Sequence, residues 1–202
     1  MAVAIDIETA PAEGAEFDPS DVKTGNLKDP EKIEAKIEAA RAEFERSAAL
    51  HWTTGRVTCV GFCGDGPGEA FSYHDERELL ETAMGIIVAH DCIVTWNGYD
   101  FDMQFLAMRC LANGVQPVRG MRGRKYPLPT DKHIDIMQWY TDCGKWIGLD
   151  KAAKAILGKG KTGTGADAIQ LWADGKIDEL QEYCLADCAL TLELYNKVKE
   201  IY

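Results

Sequence analysis

Hydrophobic and polar positions alternate from the start of the chain. Val3, Ile5 and Ile7 fall on one side of an extended segment and the residues between them fall on the other, which is typical of a β-strand. Further runs rich in β-branched and aromatic residues predict four more strands, at 56–62, 69–73, 92–96 and 133–137.

Apolar residues recur at helical spacing in five other segments. They predict helices at about 30–49, 76–88, 102–112, 149–157 and 177–201. Because these helices alternate with the strands, the pattern indicates an α/β domain with a mixed central sheet flanked by helices. The first helix lies in an insertion predicted at about 17–52, after the first strand.

Length and composition set broad limits on the fold and its location. At 202 residues and 46% hydrophobic content, the chain can bury a sizeable core as one domain over 1–202. It contains neither an apolar run long enough to span a membrane nor a signal-like N-terminus. We therefore expect a cytoplasmic protein without membrane attachment, whose seven scattered cysteines stay reduced.

Charge is distributed unevenly along the chain. The net charge of −11 argues against a general nucleic-acid-binding protein, because phosphate contacts usually require a basic surface. Between residues 117 and 161, however, ten basic residues outnumber four acidic ones, which gives a local charge of +6. This basic segment is either an ordinary solvated surface with a loop or a surface that follows a phosphate backbone.

The first candidate site is a carboxylate pair on the first strand. Asp6 and Glu8 are two residues apart, so their side chains project from the same strand face and can share one cation. Most pairs of this kind are ordinary surface residues. In a central strand with apolar neighbours, however, two like charges repel each other unless a metal ion or a proton relieves them.

The second candidate lies where the chain leaves the strand at 92–96 and enters a helix. Residues 97–102 read Asn-Gly-Tyr-Asp-Phe-Asp, and the ends of strands are where α/β proteins commonly build sites. A structural alternative is that Asp100 or Asp102 serves as the cap of the helix.

The third candidate interrupts the apolar stripe of the last helix. That stripe consists of Leu180, Cys184, Leu190, Leu194, Val198 and Ile201. Asp187 falls among these residues, and Tyr183 precedes it by one turn on the same face. An ionised Asp that faces a core costs several kcal/mol unless it is paired or binds a metal ion. A hydrogen-bonded Tyr183–Asp187 pair with a structural role is the alternative.

In this order, the three motifs resemble those of the DEDD superfamily of 3′–5′ exonucleases. Tyr183 and Asp187 match the Tyr-x-x-x-Asp motif of the tyrosine-type (DEDDy) subclass, whereas the histidine-type subclass has a histidine at the position of Glu182. The resemblance is closest to the proofreading exonuclease domain of family B DNA polymerases. It implies a ribonuclease H-like fold that brings the carboxylates together at one edge of the sheet.

The resemblance also implies a reaction and the residues that carry it out. Two divalent metal ions, Mg²⁺ or Mn²⁺, would be held by Asp6, Glu8, Asp102 and Asp187. Tyr183 would position the attacking water, and Thr9 and Asn97 would contact the substrate. The implied activity is the removal of nucleoside 5′-monophosphates from the 3′ end of single-stranded or frayed DNA. A separate polymerase or replication protein is a further expected partner.

Two other functions remain open at this point. The same site could trim RNA from its 3′ end, because the cleavage chemistry does not require DNA. The fold could also serve as a non-catalytic nucleic-acid-binding module, although all four carboxylates are present. A phosphate-binding loop at 155–162 is disfavoured, because such a loop must follow a strand and a helix is predicted there.

Overall fold

The computed structural model of the protein describes residues 2–119, 132–141 and 145–201. Within these ranges the strands form one five-stranded sheet, namely β1 (Ala2–Pro11), β2 (Gly55–Cys63), β3 (Glu69–Phe71), β4 (Cys92–Thr95) and β5 (His133–Asp135). Their order across the sheet is β3-β2-β1-β4-β5, so β1 lies at the centre. The sheet is mixed: β1, β4 and β5 run parallel to one another, whereas β2 and β3 pair with each other in antiparallel orientation.

Seven α-helices lie in the same ranges. They are α1 (Pro30–Ser47), α2 (Glu76–Ala89), α3 (Asp102–Ala112), α4 (Met137–Tyr140), α5 (Leu149–Leu157), α6 (Gly165–Ala173) and α7 (Ile177–Lys199). Asp29 and Asp75 cap α1 and α2, because each carboxylate accepts the backbone N–H two residues further on. In the described part of the chain, no helix is both long and apolar enough to cross a membrane.

The parallel register brings the ends of three strands to one edge of the sheet. Ala4 of β1 lies opposite Val94 of β4, and Val94 lies opposite Ile134 of β5. The three strands therefore run toward the same edge, which is where α/β proteins commonly bind ligands. Asp6 follows Ala4 on β1, so the predicted site residues of β1 and of the segment after β4 approach each other there.

Helices cover both faces of the sheet. Ile5 and Ile93 point to one face and pack with α2 and α3, whereas Ala4 and Val94 point to the other and pack with α5 and α7. Burial of each large aliphatic side chain contributes roughly 1.5–3 kcal/mol to the free energy of unfolding, so packing on both faces stabilises the position of β1. Because side chains alternate along a strand, Asp6 projects from the same face as Ala4, toward α7.

The predicted fold class, a mixed α/β sheet with a helical insertion after the first strand, is confirmed, but two strands end two residues earlier than predicted. β3 ends at Phe71 rather than at residue 73. β5 ends at Asp135 rather than at Met137, because the Asp135 carboxylate accepts the Met137 backbone N–H at 3.1 Å and turns the chain into α4. The stretch at 119–130 is rich in Gly, Pro and Arg, which predicts an exposed loop, and apart from Arg119 it lies outside the described residues.

Helix α6 is not predicted, because no helix is assigned between the predicted helices at 149–157 and 177–201. The helix begins with a capping box, in which Thr164 and Asp167 each accept the other's backbone N–H through a side-chain oxygen. This arrangement satisfies two N–H groups that would otherwise lack a partner. The Thr-x-x-Asp spacing is present in the sequence and could have predicted the helix.

The long helix α7 buries most of its predicted apolar stripe. Leu180, Cys184 and Leu194 are fully buried between α7 and the neighbouring elements. Ile201 lies beyond the end of the helix and is 76% exposed, so its assignment to the stripe is wrong.

Residues Ala10–Arg56 form a compact unit, which includes the segment at about 17–52 that is predicted as an insertion. Inside this unit, the rings of Phe17 and Phe44 lie 6.0 Å apart, and the guanidinium of Arg41 lies 4.9 Å from the centre of the Phe17 ring. None of the α1 side chains is fully buried. Helix α1 therefore packs through contacts among a few aromatic and charged side chains and not through a large hydrophobic core.

Candidate active site

Asp6 and Glu8 lie on the face of β1 that packs against α7. Asp6 is half-buried, and Glu8 is buried with 7% of its surface exposed. The Cys184 thiol of α7 donates to the backbone carbonyl of Asp6 at 3.5 Å. One side-chain atom from each of these three residues lies within 4.8 Å of the other two. The carboxylate pair is therefore an interior feature and not an ordinary surface pair.

A tight turn between β4 and α3 brings Asp102 to the same edge of the sheet. Asn97 has a left-handed backbone with a φ of 65°, a conformation that asparagine tolerates better than most residues. A side chain at Gly98 would collide with that of Thr95, so the turn requires glycine there. Asp102 then opens α3 and is buried, with 4% of its surface exposed.

Asp135 at the end of β5 holds this turn in place. Its carboxylate accepts the backbone N–H groups of Asn97, Tyr99 and Met137 at 2.9, 3.1 and 3.1 Å. Three N–H donors satisfy the hydrogen-bonding capacity of a buried carboxylate well. Asp135 therefore fixes the turn that carries Asp102, and it has no need of a metal ion for its own stability.

Asp187 projects from α7 toward the same cluster and is 1% exposed. Its Oδ2 atom pairs with the Nζ atom of Lys161 at 2.5 Å. The same Nζ atom lies 5.3 Å from the centre of the ring of Tyr183, one helical turn before Asp187. The carboxylate that interrupts the apolar stripe is therefore paired with a lysine from the segment between α5 and α6.

The carboxylates raise one another's pKa values. Burial and three carboxylate neighbours raise the pKa of Asp6 well above its usual range. Burial and the charge of Asp187 raise the pKa of Glu8 to about 8. Burial raises the pKa of Asp102 to about 7, although the backbone N–H groups of Asp102 and Ile7 partly offset it. The cluster therefore holds more negative charge than its surroundings can stabilise.

These shifts predict that the metal-free protein loses stability as the pH rises. Burial raises the pKa of Glu8 from 4.5 to about 8, so the folded protein binds more protons than the unfolded chain between these values. The free energy of unfolding must then fall as the pH rises through this window, on the order of a few kcal/mol. Chemical denaturation in EDTA at about pH 5 and about pH 8 measures the loss, and Mg²⁺ should restore most of it at the higher pH. Equal stability at both pH values would contradict the shifts.

Tyr183 stays protonated at neutral pH. Burial, reinforced by the charges of Asp187 and Glu8, raises the pKa of the Tyr183 phenol above its ordinary value. Its hydroxyl is buried and has no hydrogen-bond partner among the described residues. A neutral phenol can donate a hydrogen bond and orient a water molecule, but it does not act as a strong base.

The oxygen atoms of the cluster fit a hard divalent cation. Within the part of the chain that the structure describes, the Oδ1 atom of Asp187 is buried without a hydrogen-bond partner. Buried polar atoms are normally satisfied, so an orphaned carboxylate oxygen inside a group of like charges is suited to bind a metal ion. Mg²⁺ and Mn²⁺ prefer oxygen donors such as these carboxylates, whereas the Cys184 thiol in the same group is a poor ligand for them.

The two predicted substrate-binding residues adjoin the cluster along the chain. Thr9 follows Glu8 on β1 and is 7% exposed. Asn97 is half-buried, and its side-chain Oδ1 atom lacks a hydrogen-bond partner in the described ranges. The amide of Asn97 therefore has a free acceptor at the turn that carries Asp102. Contact of either residue with a substrate stays a prediction.

Lys161 and Cys184 belong to the cluster but are absent from the predicted site. By sequence, Lys161 belongs to the basic segment and Cys184 to the apolar stripe of the last helix. The backbone N–H of Lys161 donates to Asp150 of α5 at 3.0 Å, and this anchor directs the lysine toward α7. No local pattern encodes a contact between a Gly-rich loop and a helix, so sequence reasoning had no signal for it.

Comparison with known proteins identifies the family. The family described as "Predicted 3'-5' exonuclease related to the exonuclease domain of PolB" matches residues 68–202. DNA polymerase 1 of Aeropyrum pernix is 30% identical over 135 residues, which cover 60% of this chain and 14% of that polymerase. The DNA polymerase of Thermococcus litoralis is 24% identical over 219 residues, which cover 95% of this chain and 11% of that polymerase.

A solved structure supports the fold over nearly the whole chain. The family B DNA polymerase from Pyrobaculum calidifontis matches 98% of this chain with a TM-score of 0.63, at 20% identity and over 24% of that polymerase chain. The chain thus spans between a tenth and a quarter of the relatives named here. Because the family match extends over more than half of its residues, the chain belongs to the family of predicted 3′–5′ exonucleases related to the exonuclease domain of PolB.

Proposed function

We propose that the protein is a 3′–5′ exonuclease of the tyrosine-type subclass that releases nucleoside 5′-monophosphates from single-stranded or frayed DNA. The observation that carries this proposal is the cluster of four carboxylates, Asp6, Glu8, Asp102 and Asp187, in which burial raises every pKa and neighbouring carboxylates raise those of Asp6 and Glu8 further. Such a cluster is unfavourable in a metal-free protein and becomes favourable around cations.

The four carboxylates would hold two divalent ions, Mg²⁺ or Mn²⁺. When bound, the ions lower the pKa of a water molecule and stabilise charge on the leaving 3′-oxygen. All three other carboxylates act on the pKa of Asp6. Loss of Asp6 is therefore expected to weaken the binding of divalent ions more than loss of any of the other three carboxylates.

Lys161 would neutralise negative charge on the phosphate that is cleaved. Burial disfavours its charged form, but the neighbouring Asp187 outweighs that effect and raises the pKa of Lys161. The ammonium group therefore stays protonated. Cations that bind Asp187 would weaken its pairing with Lys161, and the ammonium could then donate to a phosphate oxygen through a charge-assisted hydrogen bond.

Tyr183→Phe is expected to slow cleavage by roughly 10- to 100-fold, because the variant loses the hydroxyl that orients the attacking water. Metal binding should stay nearly unchanged, since the phenol is not one of the proposed ligands. The rate is measured on a 5′-labelled oligonucleotide at saturating Mg²⁺, and Mn²⁺ binding is measured separately. A wild-type rate in this variant would remove the tyrosine from the mechanism.

The activity itself is tested with the purified protein and a 5′-labelled single-stranded oligonucleotide. With Mg²⁺ or Mn²⁺, the label should appear in a ladder that shortens from the 3′ end, and the released products should be nucleoside 5′-monophosphates. EDTA should stop the reaction. Cleavage that persists in EDTA, or cuts that begin inside the strand, would contradict the proposal.

The same assay also tests whether the enzyme prefers DNA or RNA. DNA and RNA of one sequence are digested side by side, because the proposed chemistry acts on either backbone. The relatives named above are DNA polymerases, so single-stranded DNA is the proposed substrate and a separate polymerase or replication protein is the proposed partner. Faster digestion of RNA would instead favour an RNA-trimming enzyme.

A further inference from the structure

Two concavities lie on either side of the loop at Thr162 and Gly163, and both are lined by these two residues. The first, of about 440 Å³, is also lined by Tyr183. The second, of about 490 Å³, is also lined by Lys161. Lys161 pairs with Asp187, and Tyr183 lies one helical turn before Asp187. Each concavity therefore borders the proposed active site, and each is a candidate to receive the part of the substrate strand next to the cleaved bond.

The charged residues of the first concavity are all acidic. They are Asp167, Glu179 and Glu182, and we call this hollow the acidic concavity. A nucleic-acid strand carries one negative charge per phosphate, and its binding depends on neutralisation by basic groups. The acidic concavity therefore repels the strand.

The charged residues of the second concavity are of both signs. They are Lys154 and Lys161 together with Asp150. The Asp150 carboxylate accepts from Lys154 Nζ at 2.7 Å and from the Lys161 backbone N–H at 3.0 Å, so its charge is compensated locally. Because Lys161 Nζ pairs with Asp187, the two lysines balance two carboxylates, and this hollow, unlike the acidic concavity, carries no excess of negative charge.

Trp146 lines the second concavity, which we call the tryptophan concavity. Its side chain is 72% exposed, although a tryptophan usually buries most of its large apolar surface. A Cβ atom at Gly148 would lie 3.2 Å from the nearest atom of the indole. The glycine thus lets the ring lie against the backbone before α5, while most of the indole surface remains open to solvent.

We propose that the tryptophan concavity is a subsite for one nucleotide of the substrate strand, whose base stacks on Trp146 and whose phosphate is drawn by Lys154 and Lys161. This proposal rests on the proposed exonuclease function. Every base has a face that can stack on an aromatic side chain, so the subsite binds without regard to sequence. Its volume of about 490 Å³ lies within the range of roughly 300–1,000 Å³ that is usual for small-molecule sites. The strand therefore leaves the active site beside α5 and not beside α6.

An abasic scan tests the stacking contact directly. Single-stranded oligonucleotides with phosphorothioate linkages, which resist cleavage, each carry one abasic position at increasing distance from the 3′ end. Their affinities for wild type, Trp146→Ala and Trp146→Phe are measured in Mg²⁺. We expect one abasic position near the 3′ end to weaken binding to wild type by about 5- to 100-fold. Trp146→Ala should weaken binding of the intact strand by a similar factor and should be insensitive to the same abasic position, whereas Trp146→Phe should keep most of the affinity.

Two control variants separate this contact from general effects. Trp139 is a second exposed tryptophan, 49% exposed, and it lines neither concavity, so Trp139→Ala should bind like wild type. Glu179→Gln removes a charge from the acidic concavity and should leave the abasic profile unchanged. Circular dichroism and thermal unfolding establish that each variant is folded.

The outcomes distinguish failure of this proposal from failure of the proposed function. If wild type shortens the labelled strand but Trp146→Ala binds equally well, or keeps its sensitivity to the abasic position, the subsite is wrong and the exonuclease stands. A change in the abasic profile caused by Glu179→Gln would place the strand in the acidic concavity and would also overturn the proposal. If wild type neither binds nor shortens any strand, the exonuclease function fails, and the subsite fails with it.

Discussion

Asp6→Asn is expected to reduce cleavage by at least about 1,000-fold, the largest loss for any single change in this protein. Loss of a residue that supports a metal ligand typically costs about 10- to 100-fold, and loss of the ligand itself should cost more. The asparagine has nearly the same shape, so the loss is chemical and not steric. The rate is measured on the 5′-labelled oligonucleotide at saturating Mg²⁺.

The same substitution should make the metal-free protein more stable. Burial and three carboxylate neighbours raise the pKa of Asp6, so its ionised form is unfavourable without a cation. A neutral amide removes that repulsion. In EDTA at neutral pH, we expect Asp6→Asn to unfold at a higher temperature than wild type, and Mg²⁺ should stabilise the variant less. A destabilised variant would mean that Asp6 contributes to the fold more than to metal binding.

Lys161→Gln is expected to reduce cleavage by about 100- to 1,000-fold, the second largest effect. Removal of one preorganised group that stabilises charge in a transition state costs a factor of this size. Metal affinity should stay the same or increase, because the glutamine no longer competes as a cation for Asp187. Loss of activity together with tighter or equal Mn²⁺ binding is therefore the expected signature.

Lys159→Gln is the matched control for this prediction. Lys159 lies two residues earlier in the same loop and pairs with Glu193 at 2.7 Å, with about half of its side chain exposed. Exposed ion pairs of this kind contribute little, so the control should cleave like wild type. Equal losses in both variants would show that general positive charge in the loop matters, and not the contact between Lys161 and Asp187.

Most of the fold follows from local periodicity in the sequence. The alternation of Val3, Ile5 and Ile7 predicts β1, and the apolar stripe of α7 predicts the helix that packs on its other face. Both patterns are strong because one face of each element must be buried. The packing of α7 against the Asp6 face is implied by the family resemblance and not by these patterns.

The finer parts of the site depend on contacts between distant segments, which no local pattern encodes. Asp135 bonds to backbone N–H groups of the turn at Asn97, and Lys161 reaches Asp187 from another loop. The family resemblance implies that Asp102 lies near β1, but it does not reveal what fixes the turn between β4 and α3. The roles of Asp135 and Lys161 can be identified only from the three-dimensional structure.

Mn²⁺ binding tests most directly whether the four carboxylates hold divalent cations. Metal-free wild type and Asp187→Asn are titrated with Mn²⁺ in the presence of a nucleoside 5′-monophosphate, and free Mn²⁺ is followed by its electron paramagnetic resonance signal. We predict two bound ions per chain for wild type and a clear loss of binding in the variant. Absence of saturable Mn²⁺ binding to the wild-type protein would contradict the account.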